Sequence, residues 1–132
     1  MGKITVTGIG PGSIDMMAPK AKKAIEEADI VTGYTTYIKL IEKHFPGKEF
    51  LSTGMMQEVD RCNICLDLAL EGKKIVMVSS GDPGVYGMAG LMLEIADNTG
   101  VDVEIIPGIT AANAAAAVLG APLMNDFAVI SL

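Results

Sequence analysis

The sequence predicts an α/β domain with a mostly parallel sheet of about five strands and helices on both faces. Two observations support this prediction. Short runs rich in β-branched residues alternate along the chain with segments of helical periodicity, and these runs are apolar almost throughout. Strands that are apolar on both faces are buried on both faces, as happens when helices connect parallel strands. The length of 132 residues fits a single domain, 1–132.

The predicted strands are short apolar runs bounded by glycine, charged or polar residues. They lie at Lys3–Gly8 (KITVTG), Asp29–Gly33 (DIVTG), Lys74–Ser79 (KIVMVS), Asp102–Ile106 (DVEII) and Phe127–Leu132 (FAVISL), with a weaker candidate at Glu49–Ser52. The order of strand and helix patterns implies crossover connections, which favour parallel pairing.

Helical patterns lie between the strands, at 18–28, 34–45, 55–71, 85–98 and 110–119. In 18–28, alanines and Ile25 form an apolar stripe with lysines and glutamates opposite. In 55–71, helical spacing puts Cys62 and Cys65 nearly on one face, where ordinary packing is expected. Thr110 suits the N-cap of the last helix, which continues as a run of small residues.

Composition excludes several classes of function. The formal charge of −6, with Arg61 as the only arginine, argues against a nucleic-acid partner. Residues 1–12 read as a strand and a turn rather than a secretory signal, so the expected location is cytoplasmic. Ile105–Met124 carries no charge, but proline and glycine interrupt it, and a membrane span is not expected. No metal site is expected at the two cysteines, because no further ligands accompany them.

Three unusual loops follow predicted strands, at Gly8–Gly12 (GIGPG), Ser80–Gly87 (SGDPGVYG) and Pro107–Ala112 (PGITAA). Ligands in open α/β sheets bind outside the carboxyl ends of the strands, so all three loops are expected at one edge. Their glycines are expected to leave the main chain bare for a small ligand.

Each loop alone also has a simpler explanation. Gly8–Gly12 lacks the third glycine of the dinucleotide fingerprint, and Asp29 stands at the wrong end of its strand to hold a ribose, so tight-turn geometry and a cofactor site both stay open. The second loop carries one carboxylate, Asp82, which either orients the loop or meets a hydroxyl-bearing ligand. Gly-Asp-Pro is also common in turns. For the third loop, tight packing of the following helix on the sheet would explain the small residues equally well.

Taken together, the three loops resemble the tetrapyrrole methylase family, whose pattern is GxGPG, GDPxVYG and PGITA in this order. The resemblance implies S-adenosylmethionine-dependent methylation in cobalamin and sirohaem biosynthesis. Finer features resemble the subgroup that methylates precorrin-3B or cobalt-factor III at carbon 17 and contracts the ring. These are "GYTTYIKLI" (Gly33–Ile41), "STGMMQEVDRC" (Ser52–Cys62), "VSSGDPGVYGMAGLMLE" (Val78–Glu94) and "AAAAVLGAPLMNDFAVISL" (Ala114–Leu132).

The resemblance also implies which residues contact the methyl donor: Ile9, Pro11, Gly81, Asp82, Val85, Tyr86, Thr110 and Ala111. Main-chain carbonyls and a carboxylate suit a sulfonium cation. In-line methyl transfer depends mainly on alignment, so no catalytic residue is assigned. The substrate is a polycarboxylate, and arginine is the side chain best suited to bind one, so Arg61 is expected to contribute weakly to its binding.

Family members have two domains, so the resemblance implies that 1–132 is the N-terminal domain, that a C-terminal domain is absent, and that most substrate contacts come from that domain or from a partner subunit in a homodimer. Two alternatives stay open. The chain is a sister methylase for another precorrin or for uroporphyrinogen, or it is a non-catalytic domain that only associates.

Overall fold

The computed structural model describes residues 1–132 and contains one sheet of five strands, all parallel, in the spatial order β3-β2-β4-β1-β5. The strands are β1 (Lys3–Gly8), β2 (Ile30–Tyr34), β3 (Glu49–Thr53), β4 (Lys74–Ser79) and β5 (Asp102–Ile106). The predicted fold class is confirmed. The bounds of β1, β4 and β5 are those predicted, β2 is shifted by one residue at both ends, and β3 is one residue longer at its end.

Five α-helices connect or follow the strands: α1 (Pro19–Glu27), α2 (Thr35–Ile41), α3 (Glu58–Leu70), α4 (Ala89–Ala96) and α5 (Ala111–Val118). Single 3-10 turns occupy Ile14–Met16 and Glu42–His44. The structure therefore confirms each predicted helix, although every helix is shorter than its sequence pattern.

Helices cover both faces of the sheet, as predicted. Buried side chains of α3 and α4 pack on one face, and those of α1 and α2 pack on the other. Cys62 and Cys65 are unpaired thiols in the first of these cores. Burial disfavours the thiolate and raises their pKa values to about 11 and about 12, which fits packing rather than reactivity.

The predicted strand Phe127–Leu132 is wrong. No strand follows α5, and residues 119–132 are exposed and irregular. Although FAVISL has strong strand propensity, it does not pair with the outer edge of β5, which stays free. Propensity alone does not make a strand, because a strand also depends on cross-strand pairing and burial, which this exposed segment lacks.

The uncharged stretch Ile105–Met124 is divided between the end of β5, a turn, α5 and irregular chain. None of the helices in the structure combines the length and the apolar character needed to cross a bilayer.

Strand order brings the three unusual loops together. They follow β4, β1 and β5, which are neighbours in the sheet. The strands also end level, because Gly8 pairs with Ser79 and Thr7 pairs with Ile106. The loops therefore leave one edge of the sheet side by side, as the sequence predicted.

Candidate functional site

The first and second loops are joined by main-chain hydrogen bonds just beyond the strands. The Ile9 N–H donates to the Ser79 carbonyl at 2.9 Å. Gly10 and Gly81 then exchange two bonds, with N···O distances of 3.2 and 2.9 Å, as an isolated antiparallel bridge. The loops are therefore a fixed pair of main chains rather than two independent turns.

The third loop packs against this pair at two glycines. A Cβ built on Gly108 would lie 2.1 Å from the Gly81 carbonyl oxygen and 3.1 Å from the Cα of Gly8. A Cβ on Gly8 would meet the same oxygen, also at 2.1 Å. The expectation that these glycines expose main chain to a ligand is therefore wrong for Gly8 and Gly108. They are bare because three loops contact one another there without side chains between them.

Asp82 fastens the second loop to the third. Its Oδ2 accepts from the Gly84 N–H and its Oδ1 accepts from the Gly108 N–H, both at 2.9 Å. One bond closes the Asp-Pro-Gly turn and the other reaches across to the end of β5. The structure thus supports the loop-orienting role foreseen for Asp82, while a contact between Asp82 and a ligand stays a prediction.

The loops enclose a cavity of about 600 Å³, called here the loop cavity. Its size is within the range of small-molecule sites. Seven of the eight predicted donor-contact residues line it: Pro11, Gly81, Asp82, Val85, Tyr86, Thr110 and Ala111. The eighth, Ile9, is buried in the core and does not line the cavity.

The start of α5 forms one wall of the loop cavity. Thr110 is its N-cap, as predicted, and the Thr110 Oγ1 accepts from the Asn113 N–H at 3.3 Å. Ala111 and Ala112 follow, and both line the cavity. Short side chains at the first turn keep this wall close to the loops without filling the space between them.

Tyr86 has an unusual conformation on the opposite wall. Its φ of 54° lies in the left-handed region, which a tyrosine rarely adopts, and its side chain is 69% exposed. The phenol O–H donates to the Val129 carbonyl at 3.2 Å. Strained main chain of this kind is concentrated at functional sites, and the contact holds the segment after α5 against the cavity.

Six further lining residues were not among the predicted donor contacts: Gly10, Ser80, Ala112, Asn113, Phe127 and Val129. The first three belong to the three loops predicted to meet at this edge, and Asn113 lies in the first turn of the helix that follows the third loop. Phe127 and Val129 carried no such signal, because their apolar alternation was taken for a strand.

The loop cavity contains no lysine, arginine or histidine, and its only carboxylate is Asp82. Its walls combine apolar side chains with hydroxyl, amide and main-chain groups. The whole chain contains no cluster of three or more metal-ligating side chains. The arrangement can therefore hold a neutral or cationic organic molecule, and its one carboxylate already accepts two hydrogen bonds from main-chain amides.

A second cavity of about 440 Å³ adjoins the first and is called here the arginine cavity. The two share Ser80, Val85 and Tyr86 as lining residues. Arg61 lines the arginine cavity from α3 and is itself only 5% exposed. The one predicted substrate-contact residue thus lies in a separate cavity, next to the predicted donor contacts.

The sequence matches the family model of the tetrapyrrole (corrin/porphyrin) methylases over residues 3–132. It is 49% identical over 131 residues to the probable cobalt-factor III C(17)-methyltransferase of Salmonella typhimurium, covering 98% of this chain and 54% of that protein. The chain therefore spans about half the length of that curated relative.

Solved structures agree with this match. The methyltransferase CobJ superposes with a TM-score of 0.90 at 41% identity, covering 98% of this chain and 56% of that one. The uroporphyrin-III C-methyltransferase of Thermus thermophilus in complex with S-adenosylhomocysteine superposes with a TM-score of 0.74 at 26% identity, covering 94% of this chain and 54% of that one.

Proposed function

The chain belongs to the tetrapyrrole methylase family, and from this premise we propose that it binds S-adenosylmethionine in the loop cavity for a methyltransferase of cobalamin biosynthesis. The proposed reaction methylates precorrin-3B or cobalt-factor III at carbon 17, with contraction of the ring. The name of the Salmonella relative supports the choice of substrate, and the solved complex with S-adenosylhomocysteine supports the choice of donor.

The observation that carries the proposal is the convergence of three loops on one cavity. Each loop holds one motif of the family, and each motif places at least one residue in the lining. The loops are joined by main-chain contacts, so the cavity wall does not depend on flexible side chains. A preformed wall binds a ligand without an ordering cost.

The donor fits the chemistry of this wall. It supplies a methyl group on a positively charged sulfur, and the lining carries no cationic side chain that would repel it. Thr110, Asn113 and Ser80 offer hydroxyl and amide groups for the donor's polar parts, while Pro11, Val85 and Ala111 offer apolar surface.

The chain's own contribution to the reaction is binding, alignment and exclusion of water. Holding two reactants in line can supply a large part of a rate enhancement without a dedicated base. Asp82 fixes the second and third loops relative to one another, and Tyr86 holds the segment around Val129 over the cavity. No proton transfer for ring contraction is assigned to any residue of this chain.

We also propose that a second domain completes the site, that the active form is a homodimer, and that it works in the cytoplasm. The greater length of the relatives supports a second domain, since this chain spans about half of each. Two unbridged cysteines support a reducing compartment. Most contacts with the macrocycle are assigned to the second domain or the partner subunit.

A second candidate function is association without catalysis. Its support is the exposed segment after α5, in which Leu119, Met124 and Ile130 are each more than three-quarters exposed. Exposed apolar side chains of this kind favour protein–protein contact where they form one patch. Within the enzyme class, a sister methylase acting on another precorrin or on uroporphyrinogen is the alternative, which analysis of the methylated product would separate.

The test is calorimetric titration of the chain with S-adenosylhomocysteine. We expect binding to the unmodified chain, loss of binding in Ala111→Leu, and unchanged binding in Ala115→Leu. Both alanines are exposed positions of α5, but only Ala111 lines the cavity, so the pair separates blocked space from altered helix. A dimer by size exclusion with no heat of binding would favour association and reject the donor site.

A further inference from the structure

Arg61 is a buried cation without an anionic partner. Its Nε donates to the Thr53 Oγ1 and its Nη2 donates to the Gly54 carbonyl at 3.2 Å, which leaves Nη1 with no acceptor in the protein. None of the chain's three ion pairs includes it. Glu58 lines the same cavity one turn earlier on α3, but it is exposed and forms no ion pair with Arg61. Buried charges in proteins are normally paired.

Ser79 provides a second unsatisfied donor in the same cavity. It is the last residue of β4 and is 3% exposed, and its Oγ is the only buried side-chain polar atom in the chain with no hydrogen-bond partner. It lines the arginine cavity together with Arg61. Buried hydroxyls almost always find a partner, so an orphaned one on a residue that lines a cavity points to a ligand atom.

The rest of the arginine cavity is aromatic and apolar. All three tyrosines of the chain line it, and the rings of Tyr34 and Tyr37 meet edge to face with centroids 5.3 Å apart. Met55, Met56 and Met88 complete the apolar part of the wall. Such a wall suits the flat face and edge of a conjugated ring, beside a cationic end that suits an acid.

We infer that the arginine cavity is a carboxylate subsite for one acid side chain of the tetrapyrrole, with Arg61 and Ser79 as its donors. A guanidinium and a hydroxyl together can satisfy both oxygens of a carboxylate. The subsite adjoins the loop cavity through Ser80, Val85 and Tyr86, so a macrocycle anchored there would present an edge to the donor. Arg61 and Ser79 are thus positioning residues that fix which edge is presented. This inference rests on the proposed function.

The carboxylate could come from two sources, because the methyl donor also carries one. The loop cavity itself offers the donor several hydroxyl, amide and main-chain groups, whereas the macrocycle has no cationic contact anywhere else in the two cavities. We therefore assign the subsite to the macrocycle. Separate titrations with a porphyrin acid and with S-adenosylhomocysteine distinguish the sources.

The experiment measures binding of uroporphyrin, an octacarboxylate porphyrin, by fluorescence titration of the chain. Arg61→Gln and Ser79→Ala should each weaken binding about tenfold or more, the effect of losing one hydrogen bond to a charged group. Arg61→Lys should restore part of the loss, and Lys43→Gln, which removes an exposed charge outside both cavities, should change nothing. All titrations are made in one detergent solution. For the fully esterified porphyrin, which has no carboxylate, the Arg61 and Ser79 variants should have the same affinity as the parent chain.

Ser79→Ala keeps the test decisive if Arg61 variants fold poorly. Its hydroxyl has no partner to lose, so its melting temperature should be at least that of the parent chain. Unchanged uroporphyrin affinity in Ser79→Ala, absence of uroporphyrin binding by the parent chain, or an equal loss with the ester would each overturn the subsite. Weaker S-adenosylhomocysteine binding in these variants would assign the carboxylate to the donor and overturn it as well.

The two proposals fail in different ways. Absence of S-adenosylhomocysteine binding would reject the proposed donor site while leaving the porphyrin titrations to judge the subsite. Donor binding with uroporphyrin affinity insensitive to Arg61 and Ser79 would retain the donor site and reject the subsite.

Discussion

Replacing Gly108 by alanine should disrupt the contact on which the loop cavity depends. The new Cβ would lie 2.1 Å from the Gly81 carbonyl oxygen, whereas non-bonded atoms pack at roughly 3.5 Å. That oxygen accepts the Gly10 N–H, so moving it by about 1 Å or more strains the bridge between the first two loops. Gly108 is not in the left-handed region, so the effect isolates steric contact from backbone strain.

Overpacking costs about 1–3 kcal/mol, and a weakened main-chain hydrogen bond adds about 1 kcal/mol. The expected loss in the free energy of unfolding is therefore about 2–4 kcal/mol. At roughly 4 °C per kcal/mol for a domain of this size, the melting temperature should fall by about 8–16 °C. Affinity for S-adenosylhomocysteine should fall with it, because the displaced Gly81 lines the cavity.

Gly90→Ala is the matched control for the same chemical change. Gly90 is exposed within α4, and its added Cβ would meet nothing within 4 Å. Alanine is a better helix former than glycine by about 1 kcal/mol, so this variant should melt higher than the parent chain. Thermal unfolding, monitored by circular dichroism, measures the melting temperatures of both variants. The reasoning about main-chain contact is refuted if Gly108→Ala melts within about 1 °C of the parent chain.

Three further predictions concern other parts of the chain. Asp82→Ala should keep the far-ultraviolet spectrum and weaken S-adenosylhomocysteine binding about tenfold in calorimetry, since two loop amides lose their acceptor; unchanged affinity would contradict this. Hydrogen bonds from Lys20 and Lys3 lower the pKa of Glu104 from 4.5 to about 2, so the stability it adds is present above pH 4.5 and is lost as pH falls towards 2. Glu104→Gln should lower the free energy of unfolding by at most about 1 kcal/mol at pH 7. In urea denaturation the difference from the parent chain should vanish as the pH falls towards 2, and a difference that stays constant with pH would contradict this dependence. Cys62 and Cys65 should resist iodoacetamide in the native chain, and rapid labelling by mass spectrometry would show that their burial is incomplete.

Much of the fold could be predicted from the sequence because local and tertiary preferences agree in the core. Lys3–Gly8, Lys74–Ser79 and Asp102–Ile106 are apolar runs with clear polar or glycine boundaries, and they became strands with those bounds. The run Phe127–Leu132 has the same local character and did not. Its state depends on whether it pairs with a strand and is buried in the tertiary fold, and no local pattern records either.

The candidate site could be predicted at the level of residues but not of contacts. The family resemblance implied Pro11, Asp82 and Thr110, which line one cavity, and the rule for parallel sheets put their loops at one edge. It could not show that Gly8 and Gly108 pack against Gly81, because glycine patterns do not distinguish contact with a ligand from contact between loops. The arginine cavity could not be predicted from the sequence either, because Ser79 and Arg61 lie on different elements and no local pattern shows that they meet.

The central claim is that three adjacent loops form one binding surface for the methyl donor. Two-dimensional amide NMR of the nitrogen-15-labelled chain, titrated with S-adenosylhomocysteine, tests it most directly. The account predicts saturable shifts of Gly10, Gly81, Asp82, Thr110 and Ala111 with one common dissociation constant. Shifts confined to a single loop, or clustered on α1 and α2 across the sheet, would contradict it.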